Sequence, residues 1–365
     1  MLRETPVPAA AIQNSKSPDG ATGVADSEAV ASHAALSEPV AVPHQRAAAS
    51  QYDGVCAFPD AGVPPRPRAE RILQIAVTWL LVAAPFAGLV VAAALLWGHG
   101  LGPRDAVLTV VFYLVTGFGV TVGFHRCLTH RAFRAGRRLR AVLAVAGSMS
   151  FEGDVISWVA AHRRHHAFSD RPGDPHSPYR YGTGPTAQLR GLVHAHLGWL
   201  FGNDPTSHER YAPDLMGEPM MAAVARAFPL LCVASLALPF LAGLALGGTW
   251  YAAFTALIWA GLVRIGLLQH VTWSVNSLCH VLGTRPFTTR EHDRATNLWP
   301  LALLSMGESW HNLHHSDPTC ARHGVDRRQI DLSAEVIRVF ERLGWATEVR
   351  WPDPARLDAR RRVRA

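Results

Sequence analysis

Three histidine groups carry the chemistry open to this sequence. His311, His314 and His315 lie in the run HNLHH, directly after Gly307-Glu308-Ser309-Trp310, and His162, His165 and His166 repeat that spacing in HRRHH. On a helix, positions i, i+3 and i+4 fall within one arc of one face, so each run should aim three imidazoles at one place. His125 and His130 form a third group just after an apolar stretch. A lone histidine is usually a surface or satisfied core residue. Two HxxHH repeats and an HxxxxH, all beside membrane-length hydrophobic segments, point instead to a metal centre at a bilayer surface. Imidazole suits iron, copper, zinc and nickel, so the ligand type does not choose the metal.

The elements that must position these groups are four apolar segments, each near the roughly 20 residues that cross a bilayer. They run from Ile72 to Trp97, Ala106 to Phe124, Ala227 to Gly247 and Trp250 to Val275. A short turn through His99 and Pro103 joins the first two, and Gly247-Gly248-Thr249 joins the last two, so both pairs read as helical hairpins. Arg66, Arg68 and Arg71 precede the first span and put the amino terminus inside by the positive-inside rule. The shorter runs Ala141 to Met149 and Leu298 to Met306 read as helices lying on or dipping into the interface. A crossing at Ala141 to Met149 would put His162 to His166 on the opposite side from His125 and His130. With four spans, every histidine group faces the cytoplasm. Arg264 interrupts the fourth span, where an arginine either pairs with carbonyls or lines a functional cavity.

Composition agrees. The 365 residues are 49% hydrophobic and only 17% charged, against roughly 25% charged in soluble domains, and mean hydropathy is +0.09. Cys56, Cys127, Cys232, Cys279 and Cys320 form no CxxC pair, so neither a zinc ribbon nor a disulfide framework is indicated, and the set fits a reducing compartment. Net charge is +7, yet Lys16 is the sole lysine. That bias reflects a G+C-rich genome, and arginine on the cytoplasmic side of apolar segments accounts for the high pI without nucleic-acid binding. Residues 1–65, rich in Ala, Pro, Ser and Val, read as a disordered cytoplasmic tail without signal-peptide order. Residues 66–350 form the membrane domain. Residues 351–365 read as a basic, mainly solubilising tail, able to meet an acidic carrier or anionic lipid.

The fourth span ends at Asn276-Ser277-Leu278-Cys279-His280, with Asn276 and His280 on one helical face. Together, HRCLTHR (His125 to Arg131), HRRHHAFSD (His162 to Asp170), VNSLCH and GESWHNLHH resemble the motifs of membrane fatty-acid desaturases of the stearoyl-CoA desaturase type, in a bacterial member. The match covers about Ile72 to Ile330 in order and spacing. The resemblance implies an all-α integral membrane protein, with four transmembrane helices and a cytoplasmic helical cap that holds a di-iron centre. By match, its ligands are His125, His130, His162, His165, His166, His280, His311, His314 and His315, with Asn276 contacting one iron through water. The other ten of the 19 histidines, among them His194, His196, His270 and His292, receive no metal role. Asp170, Asp174 and Glu308 are candidates to orient the imidazoles.

Desaturating an unactivated methylene pair requires dioxygen activated on a redox metal, which zinc cannot provide. In the family, residues matching Trp158, Thr272 and Trp273 shape a bend in the acyl tunnel, and residues matching Tyr113 and Gly117 form its far end. The expected substrate is a long saturated acyl-CoA cut at Δ9. Ala160-Ala161 stands where animal enzymes carry an Arg-Asp pair that helps hold CoA, and Glu152 and Gly153 replace amide side chains, so acyl-lipid and acyl-carrier-protein donors enter as alternatives. No haem, ferredoxin or GxGxxG motif occurs, which implies a separate ferredoxin, rubredoxin or cytochrome b5-like carrier with an NAD(P)H reductase. The expected location is the bacterial plasma membrane, with both termini cytoplasmic. Rival readings are a di-iron hydroxylase on a similar scaffold and, more remotely, a divalent-metal transporter, whose ligands would lie near mid-bilayer.

Overall fold

A computed structural model describes residues 65–95 and 101–362. The expected tail over residues 1–64, the end of the first span at Trp97 and the turn at His99 lie outside the described residues. Four helices are long and apolar enough to cross a membrane: α1 (Arg68–Leu95), α2 (Pro103–Thr129), and two later ones, Phe228–Gly247 and Trp250–His280. Between the pairs come α3 (Arg137–Ser148), α4 (Val155–Phe168), α5 (Pro185–His196) and α6 (Pro219–Arg226). The third and fourth spans are α7 and α8, followed by α9 (His311–Ser316), α10 (Leu332–Arg342) and α11 (Pro354–Arg360). The only sheet among the described residues is a two-stranded ribbon pairing Arg134–Ala135 with Ala346–Thr347.

Local sequence explains how the elements meet. Pro103 opens α2, where its missing N–H costs nothing. Gly248, at φ 65°, ends α7 in the left-handed region, and the Thr249 side chain accepts from Ala252 N–H to start α8. This is the tight hairpin expected from Gly-Gly-Thr. From Gly119 to Thr129, α2 winds wider, with His130 N–H donating to His125 O at 3.1 Å, five residues back. Such π-type winding is rare and concentrates at functional sites; here it carries His125 and ends at His130.

Beside this stretch α3 packs against α2. A Cβ at Gly119 would lie 2.7 Å from Gly147 Cα, so only glycine allows the crossing. At 12 residues α3 is too short to span, and α4 therefore stays at the same end as His125, His130 and His280. The Leu298–Met306 run differs from expectation. It forms one 3₁₀ turn at Trp299–Leu301 and further turns, because Pro300 lacks a donor and the chain reverses at Met306 (φ 55°) and Gly307 (φ 102°). The carboxy-terminal segment is also not free. Within it α11 is docked on the cap: Thr288 N–H donates to Arg360 O at 2.7 Å and Arg362 N–H to Pro286 O at 2.9 Å. Arg356 pairs with Asp317, and Arg361 with Asp326 and the face of Phe287. Two of its arginines, Arg356 and Arg361, have acidic partners on the cap, so residues 351–362 are a docked segment rather than a purely solubilising tail.

Arg264, fully buried in α8, proves to be a staple. Its guanidinium donates to Ala260 O, Thr116 Oγ1, Met149 O, Ser235 O and Ser235 Oγ at 2.9 to 3.4 Å, tying α2, α7 and the end of α3 to α8. Arg264→Leu should cost about 2–4 kcal/mol, from acceptors left unpaired in an apolar setting and from lost packing. Arg264→Lys, with fewer donors, should recover only part. Thermal unfolding of the detergent-purified protein measures this, and a wild-type midpoint in Arg264→Leu would contradict the staple.

Candidate metal centre

The nine histidines singled out by spacing and resemblance converge, and they divide without remainder into two groups. Ligand nitrogens of His125, His130, His162, His166 and His314 lie within 4.8 Å of one another, and so do those of His165, His280, His311 and His315. Neither HxxHH run aims all three rings at one point. In α4, His162 and His166 join the first group and His165 the second; in α9, His311 and His315 join the second and His314 the first. Helical geometry gives the reason. Residue i+4 sits about 40° from residue i around the axis, whereas i+3 sits about 60° to the other side. Each short helix therefore serves two neighbouring centres, and α2, the end of α8 and the chain after Thr129 supply the remaining rings.

Four rings are oriented by carboxylates. His125 Nδ1 lies 2.6 Å from Glu308 Oε2, His280 Nδ1 2.8 Å from Asp170 and His165 Nδ1 3.0 Å from Asp174. These are the three acids expected from sequence. The fourth, Asp293, lies 2.7 Å from His315 Nδ1 and was missed, since it sits in the loop Glu291-His292-Asp293-Arg294 outside every motif. Arg126 in turn holds Glu308 at 3.0 Å and Asp331 at 3.0 Å. His323 stands 3.4 Å from Glu308, and His176 stacks on His165 at 4.3 Å, so two histidines given no metal role form an outer layer. His194, His196 and His270 lie apart: His194 meets Pro175 O, and the other two meet each other at 3.0 Å.

This arrangement tests whether the residues fit a metal. A neutral imidazole that donates Nδ1–H to a carboxylate is left with a lone pair on Nε2. Those nitrogens face each other: His125 and His314 at 3.0 Å, His280 and His311 at 3.2 Å, His165 and His315 at 3.4 Å. His130, His162, His166, His311, His314 and His315 are all held well below the usual 6.5, by burial first and then by the other rings, so they stay neutral. In His165 and His315 both Nδ1–H groups are held by carboxylates, so their Nε2 lone pairs oppose each other, an arrangement that a cation between them would relieve. The donor set fits transition-metal ions.

An apolar cavity opens on the centre between α2, α4, α8 and the 298–306 turn. Val120, Leu268, Val271 and Val275 line it, with Trp158 and Thr272, and His125, His162, His311 and Asn276 give it polar groups. The Trp158 indole stacks on His162 and donates to Glu152 Oε2 at 3.3 Å, and burial raises the Glu152 carboxyl to about 7. Trp273 is not on the wall: one residue on from Thr272, it is turned toward His196 and His270. Nor are Tyr113 and Gly117, which stand behind Met306.

Comparison with known proteins agrees with this geometry. The family model described as fatty acid desaturase matches residues 105–331. Hex-5-enoyl-(acyl-carrier protein) acetylenase of Moorena producens (strain JHB) is 37% identical over 279 residues, covering 76% of this chain and 86% of that protein. Acyl-CoA C20 Delta5-desaturase of Anemone leveillei is 36% identical, covering 66% and 72%. The sn-1 stearoyl-lipid 9-desaturase of Anabaena variabilis is 32% identical, covering 68% and 84%.

Two outcomes follow from the centre. Asp293→Ala should weaken metal affinity about 10–100-fold by releasing His315, while exposed His292→Ala should not; equal affinities would remove Asp293 from the design. Without metal, the unfolded chain protonates His130, His162, His166, His311, His314 and His315 near 6.5 and the folded chain does not. The metal-stripped protein should therefore lose stability as pH falls from about 6.5 to 5, by up to about 1.4 kcal/mol per pH unit for each ring kept neutral. A melting temperature independent of pH over that window would contradict the neutral cluster.

Proposed function

The chain belongs to the fatty acid desaturase family, and from that premise we propose an oxygen-dependent di-iron enzyme that places a cis double bond at Δ9 of a long saturated acyl chain, carried as its CoA thioester. It is an oxidoreductase of lipid metabolism, with histidine clusters able to hold metal. The observation that supports the finer reading is the meeting of nine imidazoles, in groups of five and four, with the end of an apolar cavity. Iron there would supply the redox chemistry that lets dioxygen take two hydrogens from an unactivated methylene pair.

The chain's own residues do the rest. Val120, Leu268, Val271 and Val275 take the acyl chain out of water, at about 0.8 kcal/mol per methylene buried. Trp158, stacked on His162, and Thr272 line the cavity beside the metal groups, where they would fix which chain carbons reach the polar end. Asp170, Asp174, Asp293 and Glu308 hold imidazole Nδ1–H groups so that each Nε2 faces inward. Asn276, one turn before His280, supplies a polar group beside the four-histidine site through water. Arg66, Arg68 and Arg71 put this end of the protein on the cytoplasmic side of a bacterial plasma membrane, within reach of a separate electron carrier and its reductase.

The test is expression of the full chain in a desaturase-deficient host, with gas chromatography of its acyl chains. It is paired with turnover by purified protein of stearoyl chains carried on CoA, on acyl-carrier protein and in lipid. A Δ9 double bond and about two irons per chain are expected, with His162→Ala and His314→Ala abolishing turnover. A hydroxyl product would establish the hydroxylase instead, and wild-type activity in either mutant would refute the ligand set.

A further inference from the structure

We propose that Met306 is the floor of the acyl tunnel and sets the longest chain it accepts, an inference that rests on the desaturase reading of this cavity. Met306 is on the cavity wall with Leu268 and Leu304, and its own side chain is 1% exposed. Behind it lies the surface expected to end the tunnel. A Cβ built on Gly117 would stand 2.8 Å from Met306 Sδ and closer still to Cε, so the thioether occupies the space above that glycine. Tyr113 packs on the same side chain and is fixed by its hydroxyl, which donates to Leu304 O at 2.7 Å. Gly117 and Tyr113 thus form a rigid wall, and Met306 stands in front of it.

The backbone under Met306 is pinned while its side chain is soft. Met306 sits at φ 55° and Gly307 at φ 102°, Met306 O accepts from Ser333 N–H at 3.1 Å, and Gly307 N–H donates to Ala302 O at 2.9 Å. A methionine has three rotatable bonds and fills irregular gaps, so depth is set by this one side chain without moving the turn. Removing Cγ, Sδ and Cε opens room for about two methylenes, as close-packed interiors yield space only where atoms are removed. A side chain at Gly117 acts through Met306, by pushing the thioether into the cavity.

The test measures binding of saturated acyl-CoAs of graded length to the full, detergent-purified chain by calorimetry, without reductant. Met306→Ala should raise affinity for chains two carbons beyond the wild-type limit, relative to chains at that limit, by about 10-fold or more. Met306→Phe should shift the limit the other way, which keeps the test sound if the alanine variant folds poorly. Gly117→Leu in the Met306→Ala background should restore a shorter limit. One common limit in all variants, or no dependence on length, overturns the proposal. Turnover separates it from the parent reading: the double bond, counted from the carboxyl, should stay in place as the limit moves. A shifted limit with no double bond made leaves the floor standing and removes the desaturase, whereas desaturation with an unshifted limit does the reverse.

Discussion

Nine imidazoles from four separate parts of the chain must be held in two small clusters, and much of the cap is arranged around that constraint. Six of the rings are held neutral by burial and by one another, which is the ligating form of histidine, and His165 and His315, both held by carboxylates at Nδ1, face each other through Nε2. The energy of holding them together must come from elsewhere in the fold. Part of it is visible in the carboxylates at Nδ1, each of which fixes a tautomer and a ring plane. Another part is Arg126, whose guanidinium meets Glu308, Asp331 and Ala321 O, so the second span is tied to the segment bearing α9 and to the start of α10.

Burial separates the two kinds of group in this network. Desolvation raises a carboxyl and lowers an imidazole. Glu308 is nevertheless held well below the usual carboxylate range: burial pushes it up, and His125, Arg126 and His323 outweigh that. Glu152 has no such cation. With only hydrogen bonds from Thr272 and Trp158 to oppose burial, its carboxyl rises to about 7. The same residue type is an anion at the metal centre and close to half-neutral beside Trp158. The difference lies in the partners, since both sites are buried.

Periodic features were legible in the sequence and convergent ones were not. The spans, the short third helix and the HxxHH runs follow from spacing along a helix, and they appear where hydrophobic period and imidazole spacing put them. The allocation of each run between two centres lies in the 40° and 60° offsets, but spacing alone does not say that a second centre stands beside the first. Asp293 and Met306 lie on irregular chain, where position depends on what packs behind it. Trp273 shows the opposite limit: a motif residue beside a cavity-lining one, turned away by a single helical step. The docked α11 was hidden by composition, because arginine-rich sequence looks free until its acidic partners on other loops are known.

The stretch from Leu304 to His315 joins two roles that would otherwise need separate elements. Leu304 and Met306 bound the cavity, Glu308 orients His125, and His311, His314 and His315 face the metal groups. The left-handed pair Met306-Gly307 turns the chain between them, so the depth of the tunnel is measured from the same backbone that sets the ligands. Moving that backbone to change depth would disturb the centre. Changing a side chain on it would not, because a buried thioether adjusts by rotamer while the turn stays bonded to Ser333 and Ala302. A scaffold built this way can alter the chains it admits through one residue and keep its oxidising site intact.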